Sequence, residues 1–176
     1  RHGVDLISPL QCDYEGDTLS EWAARTLGLR SADELADEGF RETEWLEGSC
    51  IVGRRAVFER LGGFDELFPL YYEDNDLCRR ARLVGCRMGV TGAARYHHYC
   101  GGSSGGRSPE RGARADLGQL LFMLTDARRP LVACAGRGVW WFGRKGYQWI
   151  SGRNPGFPIF CRQAPAMLFR RFGGIL

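Results

Sequence analysis

Glu73, Asp74 and Asp76 put three carboxylates within four residues at the start of a helical stripe. Leu77, Ala81 and Val84 share one side of that stripe, Arg79, Arg80 and Arg82 point elsewhere, and Gly85 supplies the stop. Carboxylates at a helix N-terminus are favoured by the helix dipole and by its free N–H groups, so capping accounts for one or two of them. Three exceed what a cap requires. Adjacent carboxylates repel, which raises the proton affinity of one while the helix terminus keeps another ionised, and one member becomes a usable general base. Beside it a divalent cation or a hydroxyl-bearing substrate could be held. Phe68, Tyr71 and Tyr72, just upstream, offer aromatic walls of the kind that sugar rings stack upon. A solvated acidic helix start is the plain alternative.

A second group of chemistry-bearing residues is His97, His98 and Cys100, which with Cys78 or Cys86 has the composition of a zinc site but no paired-cysteine knuckle. The seven cysteines are odd in number, show no C-x-x-C pair and sit in apolar runs, which reads as reduced thiols in a reducing compartment.

These residues need elements to carry them. The chain has 176 residues, 44% of them hydrophobic and 12% aromatic, enough for a sizeable core and incompatible with disorder, collagen or coiled-coil repeats. Residues 3–9 read as a strand. Thr18 and Glu21 form a capping box ahead of Leu19, Trp22, Ala23, Thr26 and Leu27, a stripe stopped by Gly28, and Ser31 with Glu34 repeats the pattern. Residues 45–52 look extended, residues 55–61 helical, and strand followed by helix predicts an α/β layer.

Charge is unevenly spread. Residues 1–106 carry twelve basic and eighteen acidic side chains, and residues 107–176 carry twelve and three. All basic residues but Lys145 are arginines, suited to phosphates and anionic headgroups, although G+C-rich coding would give the same bias. Residues 103–112 read as a linker. Leu117, Leu120, Leu121 and Leu124 then mark a helix with Asp116 as its candidate cap, and Pro130 opens a further segment rich in aromatic residues and arginines. No charge-free stretch there approaches the roughly 20 residues of a spanning helix. The composition suits an element lying on an anionic membrane surface, with a helical cap on the catalytic domain or single-stranded nucleic-acid stacking as its rivals.

Residues 45–85, from WLEGSCIVGRR through GGFDELF to YYEDNDLCRRAR and Gly85, resemble the acceptor-side half of family-2 glycosyltransferases with the GT-A fold, especially rhamnosyltransferase-like members. Residues 94–103 (ARYHHYCGGS) resemble that family's His-x-x-Gly-x-Ser segment, and residues 3–17 its strand and loop after the nucleotide-binding half. The resemblance implies inverting transfer of a sugar from a nucleotide-sugar donor to an acceptor hydroxyl on a glycan or lipid-linked acceptor, in cell-envelope or surface polysaccharide synthesis. It implies Asp74 as the base, Glu73 tuning it and orienting the acceptor, Trp45 and Gly48 lining the acceptor site, and Asp76 joining these substrate-side residues as the buttress of the helix start. It implies His98, with His97 as the fallback, as a ligand of a divalent cation (Mn²⁺ or Mg²⁺) that neutralises the leaving diphosphate.

The nucleotide-side Asp-x-Asp expected of such enzymes is missing, since Asp74-Asn75-Asp76 satisfies the letters but lies within the helix motif. The chain begins with Arg1 and is expected to be the C-terminal part of a larger transferase. The fold expected is α/β: a partial GT-A (Rossmann-like) fold over residues 1–106 lacking the N-terminal nucleotide-binding half, then a basic helical tail over residues 107–176. The expected location is the cytoplasm, on the membrane's cytoplasmic face, without nucleic acid as a partner. A non-catalytic carbohydrate or membrane-surface binding module derived from the same fold is the alternative function. A metal-dependent hydrolase would need a second ligand set that the sequence does not offer.

Overall fold

Along residues 6–12 Leu6, Ser8, Leu10, Gln11 and Cys12 are all buried, so the segment is enclosed on both faces and forms a central strand, β1 (Leu6–Asp13). The computed structural model describes residues 3–16, 18–35, 39–68, 70–99 and 108–172. By packing, the chain divides into two compact units, Arg1–Phe64 with Asp74–Gly102 and Asp65–Glu73 with Ser103–Leu176. The division differs from a single cut after residue 106 in that Asp65–Glu73 clusters with the C-terminal helices.

The first unit is a mixed α/β layer. Its sheet has the order β2-β4-β1-β3, formed with β2 (Phe40–Glu42), β3 (Val52–Gly53) and β4 (Met88–His98). β1 and β4 run parallel, while β2 and β3 flank them antiparallel. Pro9 has no N–H to give the ladder, and just beyond it the register moves from Pro9 opposite Thr91 to Leu10 opposite Arg95. After this bulge Gln11 pairs with Tyr96 and Asp13 with His98. The carboxyl ends of both parallel strands therefore present polar side chains together.

One core joins Leu6, Leu10, Met88 and Val90 of the sheet to the helices α1 (Glu21–Leu27), α2 (Arg55–Leu61) and α3 (Glu73–Leu83) and to a 3₁₀ turn, Ala32–Leu35. Ser20, not Thr18, caps α1: its hydroxyl accepts from the Ala23 N–H at 3.2 Å, while Thr18 bonds the Asp13 carboxylate. Gly28 ends α1 at φ 66°, where a Cβ would be strained. Residues 45–51 form an irregular loop with a turn at Gly48 and Ser49, so strand pairing there is confined to Val52 and Gly53.

The second unit holds the helices α4 (Pro109–Leu124), α5 (Leu131–Ile150) and α6 (Phe157–Phe172). Ala113, Leu117, Leu120, Trp141, Phe157, Phe160 and Ala164 form its core. Ser108 caps α4, accepting from the Arg111 N–H at 3.2 Å. Asp116 is instead a buried mid-helix residue, 2.6 Å from Lys145 Nζ and 2.8 Å from Asn154 Nδ2. A Cβ on Gly118 would lie 2.5 Å from the Tyr71 carbonyl oxygen, so the close approach of residues 70–71 to α4 requires glycine. Most of the expected linker, residues 103–107, lies outside the described residues. No helix among the described residues is long and apolar enough to cross a membrane.

Candidate functional site

Asp74 lies in the first turn of α3, where N–H groups and the helix dipole favour a carboxylate. Its Oδ2 accepts the Gly48 N–H at 2.9 Å and its Oδ1 accepts the Asn75 side-chain amide at 2.9 Å. A Cβ at position 48 would stand 3.2 Å from Asp74 Cβ and 3.4 Å from Oδ2. The glycine is thus what lets the loop backbone reach the carboxylate.

The residue before that glycine is a carboxylate that the sequence reading did not single out. Glu47 Oε2 is buried with no hydrogen-bond partner. Burial raises the proton affinity of Glu47 and the Asp74 charge adds to this, while His98 and hydrogen bonds from Gln11 and Ser49 oppose it. Gln11 is itself buried and held by Ser20, whose hydroxyl donates to its Oε1 at 2.7 Å. Ser49 Oγ lies 2.7 Å from the Tyr96 hydroxyl, whose pKa burial pushes up to about 12. Gln11, Glu47, Ser49 and Tyr96 form one polar network at the carboxyl end of β1 and β4. Open α/β sheets bind ligands at that end.

Of the two adjacent histidines, His97 is exposed and donates from Nδ1 to the Asp13 carbonyl at 3.0 Å, whereas His98 is half-buried and interacts with Glu47. Strand alternation sends the pair to opposite faces. The charges of Asp74 and His98 thus act on Glu47 in opposite senses. Beyond the strand ends the exposed rings of Tyr14 and Tyr99 meet with centroids 5.0 Å apart. Only their positions, each one residue past a strand end, could have marked them in the sequence.

Other expected site residues lie elsewhere. The Trp45 ring packs beneath the Arg82 guanidinium, 4.0 Å from its centroid, in a cavity of about 520 Å³ that it shares with Thr26, Cys86 and Met88 and that neither Gly48 nor Asp74 lines. Asp76 is 5% exposed, and its two oxygens take Arg79 at 2.6 Å and Arg80 at 2.7 Å. That carboxylate is consumed inside its own helix. Arg79 is accordingly buried rather than pointing outward, and Val84 is exposed rather than part of the apolar stripe. Glu73 opens α3, half-buried, and clusters with the second unit.

The expected aromatic walls are taken up in packing within that second unit. Phe68 is buried, Tyr71 accepts a hydrogen bond from Arg111, and the Tyr72 ring lies 5.7 Å from Phe122. Tyr71 and Tyr72 both hold left-handed backbone, φ 64° and 70°, an unusual pair for bulky residues. The zinc composition does not assemble either. Cys78 is buried against the Leu46 backbone with its thiol pKa raised to about 11, Cys86 meets Arg60, and Cys100 lies outside the described residues. Among the described residues no three His, Cys, Asp or Glu side chains are placed to hold a metal ion, so His98 offers at most one ligand of a set that these residues do not complete.

No protein-family model matches the chain. It is 38% identical over 94 residues, 53% of its length, to an N-acetylglucosaminyl-diphospho-decaprenol L-rhamnosyltransferase of Mycobacterium tuberculosis. It is 30% identical over 90 residues to a low-salt glycan biosynthesis hexosyltransferase of Haloferax volcanii, and 39% identical over 56 residues to a rhamnosyltransferase of Escherichia coli. The matches cover 30%, 29% and 21% of those proteins, so the chain spans under a third of the length of these relatives. Over about half of its own length it is similar to rhamnosyltransferases and other glycosyltransferases.

Proposed function

We propose that the first unit is the acceptor-side part of an inverting, GT-A-type glycosyltransferase that extends a cell-envelope or surface glycan, with Asp74 as its general base. The observation that carries this reading is the setting of Asp74: a carboxylate at a helix N-terminus, held by the Gly48 N–H and acting by its charge on Glu47 of the neighbouring polar network. Asp74 takes the proton of the acceptor hydroxyl as that oxygen bonds to the anomeric carbon of the donor. The anomeric C–O bond breaks on the opposite face, and its electron pair leaves with the nucleotide diphosphate. Glu47, held protonated more readily than an ordinary carboxylate, hydrogen-bonds acceptor hydroxyls beside the base, and Tyr14 and Tyr99 supply a ring surface for the glycan.

A divalent cation belongs to the same reading, with His98 contributing one imidazole. Among the described residues no set of three ligands is complete around it. A lipid-linked or glycan acceptor is in keeping with the name of the mycobacterial relative, and a nucleotide-sugar donor and a place at the cytoplasmic face of the membrane belong to the same proposal.

The test is transfer from a panel of nucleotide sugars, read as nucleotide diphosphate release. Asp74→Asn keeps an oxygen that can accept the Gly48 N–H but loses the proton acceptor, so turnover should fall about 10²–10⁴-fold with donor binding retained. Turnover above about a tenth of the parent's would remove Asp74 from the role of base.

A further inference from the structure

The helix α5 carries a face that its own unit leaves bare. Cys134, Gly138 and Trp141 are buried against the neighbouring helices, while Leu131, Val132, Val139, Trp140, Tyr147 and Ile150 are 64% to 84% exposed. Val132, Val139 and Ile150 recur at helical spacing along one stripe, with Trp140 and Tyr147 beside it. A Cβ added at Gly136 or Gly143, on the same stripe, would meet nothing within 4 Å. Contiguous apolar surface of this extent on a soluble unit marks an interaction site.

The charges around the stripe say what covers it. Arg137 and Arg144 are exposed along its margin, Arg144 with its guanidinium 5.5 Å from the Trp140 ring, while Arg128 and Arg129, just before the helix, pair with Asp126. From residue 127 to residue 176 the chain has nine basic side chains and no acidic one. A protein partner would have to be both apolar and strongly acidic. An anionic bilayer surface has that chemistry by construction, because tryptophan and tyrosine settle at headgroup depth, aliphatic side chains enter the acyl boundary and arginines pair with phosphates.

We propose that the exposed face of α5 lies in the interfacial layer of an anionic membrane, its stripe of Val132, Val139, Trp140, Tyr147 and Ile150 inserted and its arginines on lipid phosphates. The lipid is recognised by surface charge and packing, independently of sugar transfer. Removing the tail would destroy the core formed by Trp141, Phe157 and Phe160, so the test uses substitutions confined to exposed positions.

The experiment is flotation of the chain with vesicles of phosphatidylcholine alone and of phosphatidylcholine and phosphatidylglycerol in equal parts, at low and high salt, with tryptophan emission as a second readout. The chain should float with the anionic vesicles, release at high salt, and shift its emission to the blue as Trp140 leaves water. Arg137→Ala with Arg144→Ala should weaken binding about thirtyfold at low salt. Val139→Glu with Tyr147→Glu should abolish it, with circular dichroism reporting intact helices. Binding that survives the glutamate pair, or no binding by the parent chain, overturns the proposal. A dimer abolished by the glutamate pair, without vesicle binding, would assign the face to a second copy instead. Should the glutamate pair fail to fold, the arginine pair and the salt dependence decide.

Discussion

At the residue scale the candidate site depends on two neighbours in one loop, Glu47 and Gly48, that act by opposite means. Gly48 acts by having no side chain, and Glu47 by having a half-buried one whose Oε2 is shut off from water and which feels the Asp74 charge. Because Glu47 binds its proton more tightly in the folded chain than in the unfolded one, its contribution to stability is fully present below the ordinary value of 4.5 and is lost as pH rises through the raised folded value. Glu47→Gln removes that titration, so the melting temperature of the variant relative to the parent should climb with pH across this window. A difference that stays flat with pH would show that Glu47 titrates normally.

The same scale separates the histidines. Loss of a ligand weakens an ion without removing the carboxylates, so His98→Ala should raise the Mn²⁺ concentration needed for half-maximal transfer, and His97→Ala, whose ring is held by the Asp13 carbonyl, should leave it unchanged. Equal metal titrations for His98→Ala and the parent would remove His98 from the metal.

Asp74 was legible in the sequence because three carboxylates at a helix start exceed what capping needs. Glu47 was not, because nothing in W-L-E-G-S tells a buried carboxylate from a solvated loop residue until the sheet supplies Gln11 and Tyr96 as neighbours. Asp76 was legible only as a charge, since its use depends on Arg79 turning inward.

At the element scale α3 is held by an ion triad rather than by its apolar stripe alone. Asp76 and Arg79 are both nearly fully buried, and Arg80, less buried, also donates to the Leu61 carbonyl at the end of α2. The triad thereby fixes the helix that carries Asp74 against the element before it. Removing one partner of a buried pair leaves the other charge uncompensated, which costs about 3–5 kcal/mol, so Asp76→Ala should lose that much in denaturant unfolding. A double change, Asp76→Leu with Arg79→Met, should recover much of the loss because it removes both buried charges. A loss below about 1 kcal/mol for Asp76→Ala would place the triad among solvent-screened pairs. Helices α1, α2 and α3 were readable from periodicity and glycine stops, and β1 only in part, since the strand expected over residues 3–9 runs from Leu6 to Asp13. The short β2 and β3 were not, because strands of three and two residues carry no period and exist only through their pairing with β4 and β1.

At the scale of the whole molecule, the charge asymmetry of the sequence coincides with two hydrophobic cores that share no residue. The aromatic residues of the basic segment sort into two sets with different uses. Trp141, Phe157 and Phe160 meet edge-on or stacked inside the second core, with centroids 5.3 Å and 5.6 Å apart, while Trp140, Tyr147 and Phe169 face solvent. Composition could not separate the sets, because residues 140 and 141 are both tryptophan and only the helix phase sends one inward. Phe160 is fully buried at the centre of that core, touching Trp141, Phe142 and Phe157. Truncating a buried phenylalanine removes its transfer energy and leaves a cavity that the neighbours fill incompletely, for about 3–5 kcal/mol. Phe160→Ala should therefore strip amide protection from α4, α5 and α6 in hydrogen exchange. Phe169→Ala, in the same helix but 75% exposed, should change it by less than about 0.5 kcal/mol. If the two variants lost protection equally, the second core would not be organised around Phe160, and the division of the aromatic residues into a packed set and a surface set would fail with it.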